Sequence, residues 1–258
     1  MIEIEQLSCG FGAKEVLRGV SATLADGVFH ALLGPNGCGK TTMLRCLAGL
    51  LRPSQGRVLL DGRDVLAYHP SERARRVSLV RQQAQTDFEF SAFEIVLMGR
   101  NPYQRRLQNE SQRDWDIVEE SMRRTNTWDL RLSKPHEMSG GELQRVMIAR
   151  ALAQQTPVML LDEPTSNLDI AHQHDIMHLL RQVAQQQHKT VVMAVHDLNL
   201  ALKYCPEVIM LHEGRVLYQG AAREGLSPEN LRAAFHINAR MGADGLAFSR
   251  LEEFGEGH

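Results

Sequence analysis

The stretch Leu32-Leu33-Gly34-Pro35-Asn36-Gly37-Cys38-Gly39-Lys40-Thr41-Thr42 constrains this chain more than any other. From Gly34 to Thr41 it fits the pattern G-x-x-x-x-G-K-[ST]. Val28 to Leu33 before it reads as a buried strand, and Thr42 to Leu50 after it as a helix. Strand, glycine-rich loop and helix in that order make a cradle for phosphate. The glycines permit a tight turn with backbone N–H groups pointing inward, and the helix N-terminus adds partial positive charge. Lys40 would reach the β- and γ-phosphates of a nucleotide, and the Thr41 hydroxyl would hold Mg²⁺. The alternative is a glycine-rich turn with a chance lysine, and both flanks weigh against it. Cys38 lies inside the loop and is a candidate for alkylation, although a small loop residue need carry no function.

The remainder of the sequence alternates apolar runs with helical patterns. Ile2 and Ile4 alternate with Glu3 and Glu5 at the head of a region, 2–33, of short strands and turns. "GRVLLDGRDVL" at 56–66 reads as two short strands around the turn pair Asp61-Gly62. Val77 to Val80 is a further strand. Residues 90–138 change character and read as a helical insert, with Phe93, Val96 and Leu97, then Trp115, Val118 and Met122, at helical spacing. Then follow a helix (141–154), a strand (157–161), a helix (170–187), a strand (190–195), a helix (197–203) and a strand (207–211). Ser227-Pro228-Glu229 caps a last helix at 228–235. Strands alternating with helices imply a parallel sheet covered on both faces.

Two strand ends carry chemistry. Val158 to Leu161 delivers Asp162 and Glu163, as a Mg-nucleotide site requires. Asp162 would help hold Mg²⁺, directly or through water, and Glu163 would orient or deprotonate the attacking water. A solvated Asp-Glu turn before Pro164 is the plain alternative. The strand 190–195 ends in His196, which a parallel arrangement places at the same sheet edge, within reach of a γ-phosphate.

Gly34 to Thr41, Gln82, "MSGGE" at 138–142, "LLDEP" at 160–164, "SNLD" at 166–169 and His196 together resemble the ordered motif set of ABC-transporter ATPase subunits. The resemblance covers nearly the whole chain. It implies an α/β fold: a P-loop NTPase parallel-sheet core with an antiparallel β subdomain (1–82 and 139–258) and a helical subdomain at about 83–138. It also implies a mechanism in which two subunits sandwich two ATP molecules head to tail. Ser139, Gly140, Gly141 and Glu142 of one subunit would face the γ-phosphate held by Lys40 of the other. Asp169 would sit at the dimer seam, Gln82 would contact Mg²⁺ and water, and Phe11 would stack on adenine. "SGGE" also reads as a helix cap, with Ser139 at the N-cap and Glu142 at N3, and the two roles are compatible. Met138, Glu142, Leu143, Arg81 and Phe11 depart from the commonest family residues, and none removes a catalytic group.

The branch of the family is narrowed by text. "FEIVLMGRNPY" at 93–103, "EPTSNLDIAHQHDIMHLLRQ" and "VHDLNLALKYCPEVIMLHEGRVLYQG" resemble the ATPases of ferric-siderophore, haem and cobalamin importers, the ferrichrome-type siderophore importers most. The resemblance implies separate membrane permease subunits, an associated substrate-binding protein and a place at the cytoplasmic face of the inner membrane. Gln82 to Arg100 would form much of a groove for a permease helix, with Phe90, Phe93 and Met98 as candidate apolar contacts; the alternative is that these residues form the small core of the insert. A soluble ATPase acting on protein assembly, the ribosome or DNA, and a phosphate-binding module without hydrolysis, are the rival readings. Against the first, the net charge of −2 gives no pull toward nucleic acid or anionic membrane. Against the second stand Glu163 and His196.

The longest apolar runs are far too short to span a bilayer. Met1-Ile2-Glu3-Ile4-Glu5 carries no signal-peptide pattern, and about sixty residues after His196 are too few for a large regulatory domain. Cys9, Cys38, Cys46 and Cys205 lack C-x-x-C spacing, which fits a reduced compartment. His172, His174 and His178 lie on one helix, and His174 and His178 share a face. With no cysteine and no aligned carboxylate they read as a polar helix surface rather than a metal site.

Overall fold

A computed structural model describes residues 1–12, 14–81, 89–104, 110–166, 168–242 and 245–250. The chain begins with β1 (Ile2–Phe11), β2 (Lys14–Leu24) and β3 (Phe29–Leu33), followed by α1 (Lys40–Leu47). Next come β4 (Gln55–Leu60), β5 (Arg63–Asp64), α2 (Pro70–Ala74) and β6 (Val77–Val80). The insert contributes α3 (Ala92–Leu97) and α4 (Gln112–Arg124), and α5 (Gly140–Ala153) returns to the core. Then follow β7 (Val158–Asp162), α6 (Ile170–Gln187), β8 (Thr190–Ala194), α7 (Leu198–Tyr204), β9 (Glu207–His212) and β10 (Arg215–Ala221). The last elements are α8 (Ala222–Gly225), α9 (Pro228–Phe235), β11 (Ile237–Gly242) and β12 (Gly245–Arg250).

The central sheet has the order β10-β9-β3-β8-β7-β6. Its last five strands are parallel, and β10 closes one edge antiparallel to β9. β3, β7 and β8 are buried at every position, as strands covered on both faces must be. Successive side chains alternate between two cores. Phe29, Ala31 and Leu33 pack on one face with Met177, Leu180 and Val183 of α6, whereas Leu32 packs on the other with Met43, Leu44 and Leu47 of α1. That second core is closed by an antiparallel sheet of order β2-β1-β4-β5. β1 is longer than its sequence pattern indicates. At Gln6, with φ 46°, the register shifts between Ile4 and Leu7, so the buried set passes from Ile2 and Ile4 to Leu7 and Cys9. A bulge hides the alternation from a period-two reading.

α5 joins the insert to the sheet because it is apolar on two sides. Ile148, Ala151 and Leu152 belong to the main core, while Val146, Ala149 and Ala153 pack against Ala92, Ile95, Val96, Val118 and Met122 of α3 and α4. Arg100 secures the joint. Its guanidinium lies 2.9 Å from Asp114 and donates to the Ala153 carbonyl at 2.7 Å and to Gln155 at 3.2 Å. Arg100 is 5% exposed, so losing its partner would strand a buried charge. Burial opposes ionisation of Asp114, but the hydrogen bonds from Ser111 and Arg100 outweigh it and hold the carboxyl below its ordinary value of 3.8. A depressed folded pKa means that the stabilisation is complete above the ordinary value and is lost as pH falls through the lower folded one. Replacing Arg100 with leucine is expected to cost about 3 kcal/mol in urea unfolding, and to weaken the acid sensitivity of the insert.

Several boundaries differ from the sequence expectation. α1 starts at Lys40 rather than Thr42 and ends at Leu47, where Gly49 at φ 64° turns the chain away. Trp115 was expected on the apolar face with Val118 and Met122, but it is 50% exposed and stacks edge-on against Phe93 at 5.4 Å.

Candidate functional site

The loop between β3 and α1 is a place where side chains do not fit. Gly34 has φ 145°, and a Cβ there would stand 2.3 Å from the Leu211 carbonyl. Gly39, the residue before α1, has φ 111°, and a Cβ would meet Leu17 at 2.6 Å. The backbone therefore wraps closely enough for the first N–H groups of α1, which has no side-chain cap, to face into the loop. Pro35, Asn36 and Gly37 complete the turn. Lys40 is 5% exposed and its ammonium donates to the carbonyls of Gly34 at 2.8 Å and Pro35 at 3.3 Å. Thr42 is buried.

Cys38 corrects an expectation. It is 5% exposed, and burial pushes its thiol up, opposed in part by the Lys40 charge. Alkylation needs thiolate, so this thiol is a poor target.

The ends of β7 and β8 meet this loop. Thr41 Oγ1 donates to Asp162 Oδ1 at 3.0 Å. Asp162 is 7% exposed, and burial raises its carboxyl despite the Thr41 hydrogen bond. Glu163 Oε1 lies 3.9 Å from Lys40 Nζ and 2.5 Å from His196 Nε2. Glu163 is no solvated turn residue: its side chain is 12% exposed, and its backbone sits at φ 50°, in the left-handed region. Ser166 supports that conformation by donating its hydroxyl to the Glu163 carbonyl at 3.0 Å. Strain of this kind is tolerated where the surroundings over-determine it. Sheet order explains the meeting: β7, β8 and β3 are adjacent and parallel, so their C-terminal ends share one edge.

Thr41 and Asp162 fit Mg²⁺. Their oxygens are 3.0 Å apart, the separation of neighbouring ligands around an octahedral ion with bonds of about 2.1 Å. A buried carboxylate beside a hydroxyl is also a hard-oxygen donor pair. Gln82, the third expected ligand, lies outside the described residues.

Ser139, Glu142 and Asp169 are each engaged in the cap of their own helix. Ser139 caps α5 in a full capping box: its N–H and hydroxyl both donate to Glu142 at 2.8 Å, and it accepts from the Glu142 N–H at 3.2 Å. Those bonds, with the Ser139 N–H first, hold the Glu142 carboxyl down. Gly140 and Gly141 form the first turn of α5. Asp169 caps α6 by accepting from the His172 N–H at 2.9 Å, and its second oxygen lies 2.7 Å from His172 Nδ1. These bonds lower the Asp169 carboxyl. Phe11 is 53% exposed at the end of β1.

His174 donates to or accepts from Tyr204 at 2.8 Å, and His178 pairs with Gln182 at 3.0 Å. Among the described residues, no group of three or more His, Cys, Asp or Glu could hold a metal ion. No helix of the described residues is long and apolar enough to cross a membrane.

A second feature lies on the insert. A groove of about 760 Å³ is lined by Phe90, Phe93, Leu97, Met98, Trp115, Trp128 and Leu132, with Glu94, Glu110 and Arg131 among its polar residues. Phe90, Phe93 and Met98 were expected there from the sequence. The sequence pattern places Trp115 with Val118 and Met122 instead, and it does not single out Trp128 or Leu132.

The family profile described as ABC transporter matches residues 17–166. The cobalamin import ATP-binding protein BtuD of Halobacterium salinarum is 40% identical over 94% of this chain, which spans only 61% of that relative's length. The ferric enterobactin transport ATP-binding protein FepC of Escherichia coli is 38% identical over 94% of this chain and 90% of its own. The hemin import ATP-binding protein HmuV of Pseudomonas entomophila is 40% identical over 92% of this chain and 93% of its own. Among solved structures, an inward-facing ABC transporter assigned to the metal-chelate type is 30% identical, covers 98% of both chains and has a TM-score of 0.82. A bacterial ABC transporter cassette solved as a dimer is 29% identical, covers 86% of this chain and 99% of its own, and has a TM-score of 0.77. Profile, relatives and fold agree with the loop, strand-end carboxylates and helix cap described above: this chain belongs to the ABC transporter family and has the fold of its ATP-binding cassette.

Proposed function

We propose that the chain is the ATP-hydrolysing motor subunit of an ABC importer, powering uptake of a metal chelate, a ferric siderophore before haem or cobalamin. The observation that carries the hydrolytic reading is Glu163, held between His196 and Lys40 at the mouth of the phosphate loop. Glu163 accepts the proton of the attacking water. His196, touching the same carboxylate oxygen, orients it and reaches toward the γ-phosphate. Lys40 and the loop N–H groups offset the charge that develops on the phosphate oxygens. Mg²⁺, held by Thr41 and Asp162 with Gln82, would neutralise phosphate charge when bound.

Two copies would form the working unit. Ser139, Gly140, Gly141 and Glu142 of one would close over the nucleotide of the other, with Asp169 at the seam and Phe11 against adenine. Residues 1–82 and 139–258 would act as the core and about 83–138 as the helical subdomain, on the cytoplasmic face of the inner membrane. The groove beside Phe93 suits a short permease helix, since Phe90, Trp115 and Leu132 leave apolar side chains exposed along it. The names of the relatives support a metal-chelate cargo, which a substrate-binding protein would deliver.

The test is a pull-down of the tagged chain from detergent-solubilised native membranes, followed by mass spectrometry. A polytopic permease in near-equal amount is expected; recovery of soluble partners alone would remove the transport reading. Leu132 is 78% exposed, so Leu132→Asp should leave the fold and ATP binding intact. It should cost about 2 kcal/mol of permease affinity, read as loss of the co-purified permease.

A further inference from the structure

His196 is 45% exposed at its side chain, so packing alone does not hold its imidazole against Glu163. Its backbone does. Val195 N–H continues the ladder to the Leu32 carbonyl at 3.2 Å, and on the other side Asp197 caps α7. Asp197 accepts from the N–H groups of Asn199 at 2.8 Å and Leu200 at 3.1 Å. α7 has only seven residues, too few to be stable without tertiary support.

Part of that support comes from the far end of the chain. The Asn199 side chain acts as a strand edge: Oδ1 accepts from the Leu246 N–H at 2.7 Å and Nδ2 donates to the Leu246 carbonyl at 3.2 Å. Leu246, on β12, is 6% exposed and belongs to the main core. The neighbouring position fits this approach. Gly245 has φ 131°, and a Cβ there would stand 2.7 Å from Asn199 Oδ1. A residue larger than glycine would push the amide out of register.

We propose that the β11–β12 hairpin positions His196 through the clasp between Asn199 and Leu246, making Asn199 a positioning residue for hydrolysis that touches neither nucleotide nor water. This rests on the hydrolytic reading of Glu163 and His196. Loss of the clasp frees the first turn of α7 and lets His196 leave the Glu163 oxygen.

The test is a double-mutant cycle on the full chain, measuring kcat and KM for ATP. Asn199→Ala should lower kcat about tenfold with KM changed less than about twofold. Asn199→Asp, which still accepts from the Leu246 N–H, should lose less, and Gly245→Ala should resemble Asn199→Ala. In a His196→Ala background, Asn199→Ala should cause no further loss. If Asn199→Ala fails to fold, Asn199→Asp and Gly245→Ala carry the same cycle. Losses that multiply in the His196→Ala background, or an unchanged kcat in a folded clasp variant, would overturn the proposal while leaving the role of His196 in place. A His196→Ala variant of normal activity would remove that role and the proposal together.

Discussion

Glu163→Gln is expected to slow ATP hydrolysis by about 10²- to 10⁴-fold, the usual weight of a positioned general base. The change is nearly isosteric, so the left-handed turn, the Ser166 hydrogen bond and the packing around the 12%-exposed side chain are retained. What is lost is a group able to take a proton from water. ATP affinity should hold or rise, because a negative charge beside the γ-phosphate is removed. Binding without turnover should then accumulate an ATP-bound dimer. Size-exclusion chromatography with ATP and phosphate release measured side by side check both parts. Rapid turnover by the variant would refute the assignment of Glu163 as base.

Lys40→Ala should act on the other side of the reaction, on nucleotide binding. Lys40 is buried, spends its hydrogen bonds on the Gly34 and Pro35 carbonyls, and stands 3.9 Å from Glu163. Its removal takes a fixed positive charge from the site and leaves two loop carbonyls without that donor. Charge-assisted hydrogen bonds are worth about 1.5–3 kcal/mol each, so ATP affinity should fall roughly 10- to 100-fold. Titration with a fluorescent ATP analogue reads this directly. Unchanged affinity would mean that the loop between β3 and α1 is not the phosphate site. The two variants therefore separate binding from chemistry.

Much of the site was legible before any fold was known, because its parts are local. The loop is a run of glycines ending in Lys40-Thr41, and its geometry follows from φ values that only glycine adopts freely. Ser139 and Glu142 form a capping box readable three residues apart. α6 and α9 begin and end where Asp169 and Ser227 cap them and where the periodicity stops. β11 does carry a period-two pattern, with Ile237, Ala239 and Met241 against Asn238 and Arg240, but the support its hairpin receives from Asn199, far back in the chain, is not legible locally. The position of Trp115 was misread for a related reason: helical spacing gives a face but not the surface that covers it.

The sequence by itself determined that this chain would hold phosphate on a strand-loop-helix unit, place carboxylates after an apolar strand and alternate strands with helices. Each of these depends on residues within a few positions of one another. Only the tertiary structure decided that Lys40, Glu163 and His196 meet, that the Arg100 guanidinium fastens the insert to α5, and that Asn199 grips β12. Those contacts depend on the strand order β10-β9-β3-β8-β7-β6 and on which helix covers which face. Burial across the whole chain selects that arrangement, and no local pattern encodes it.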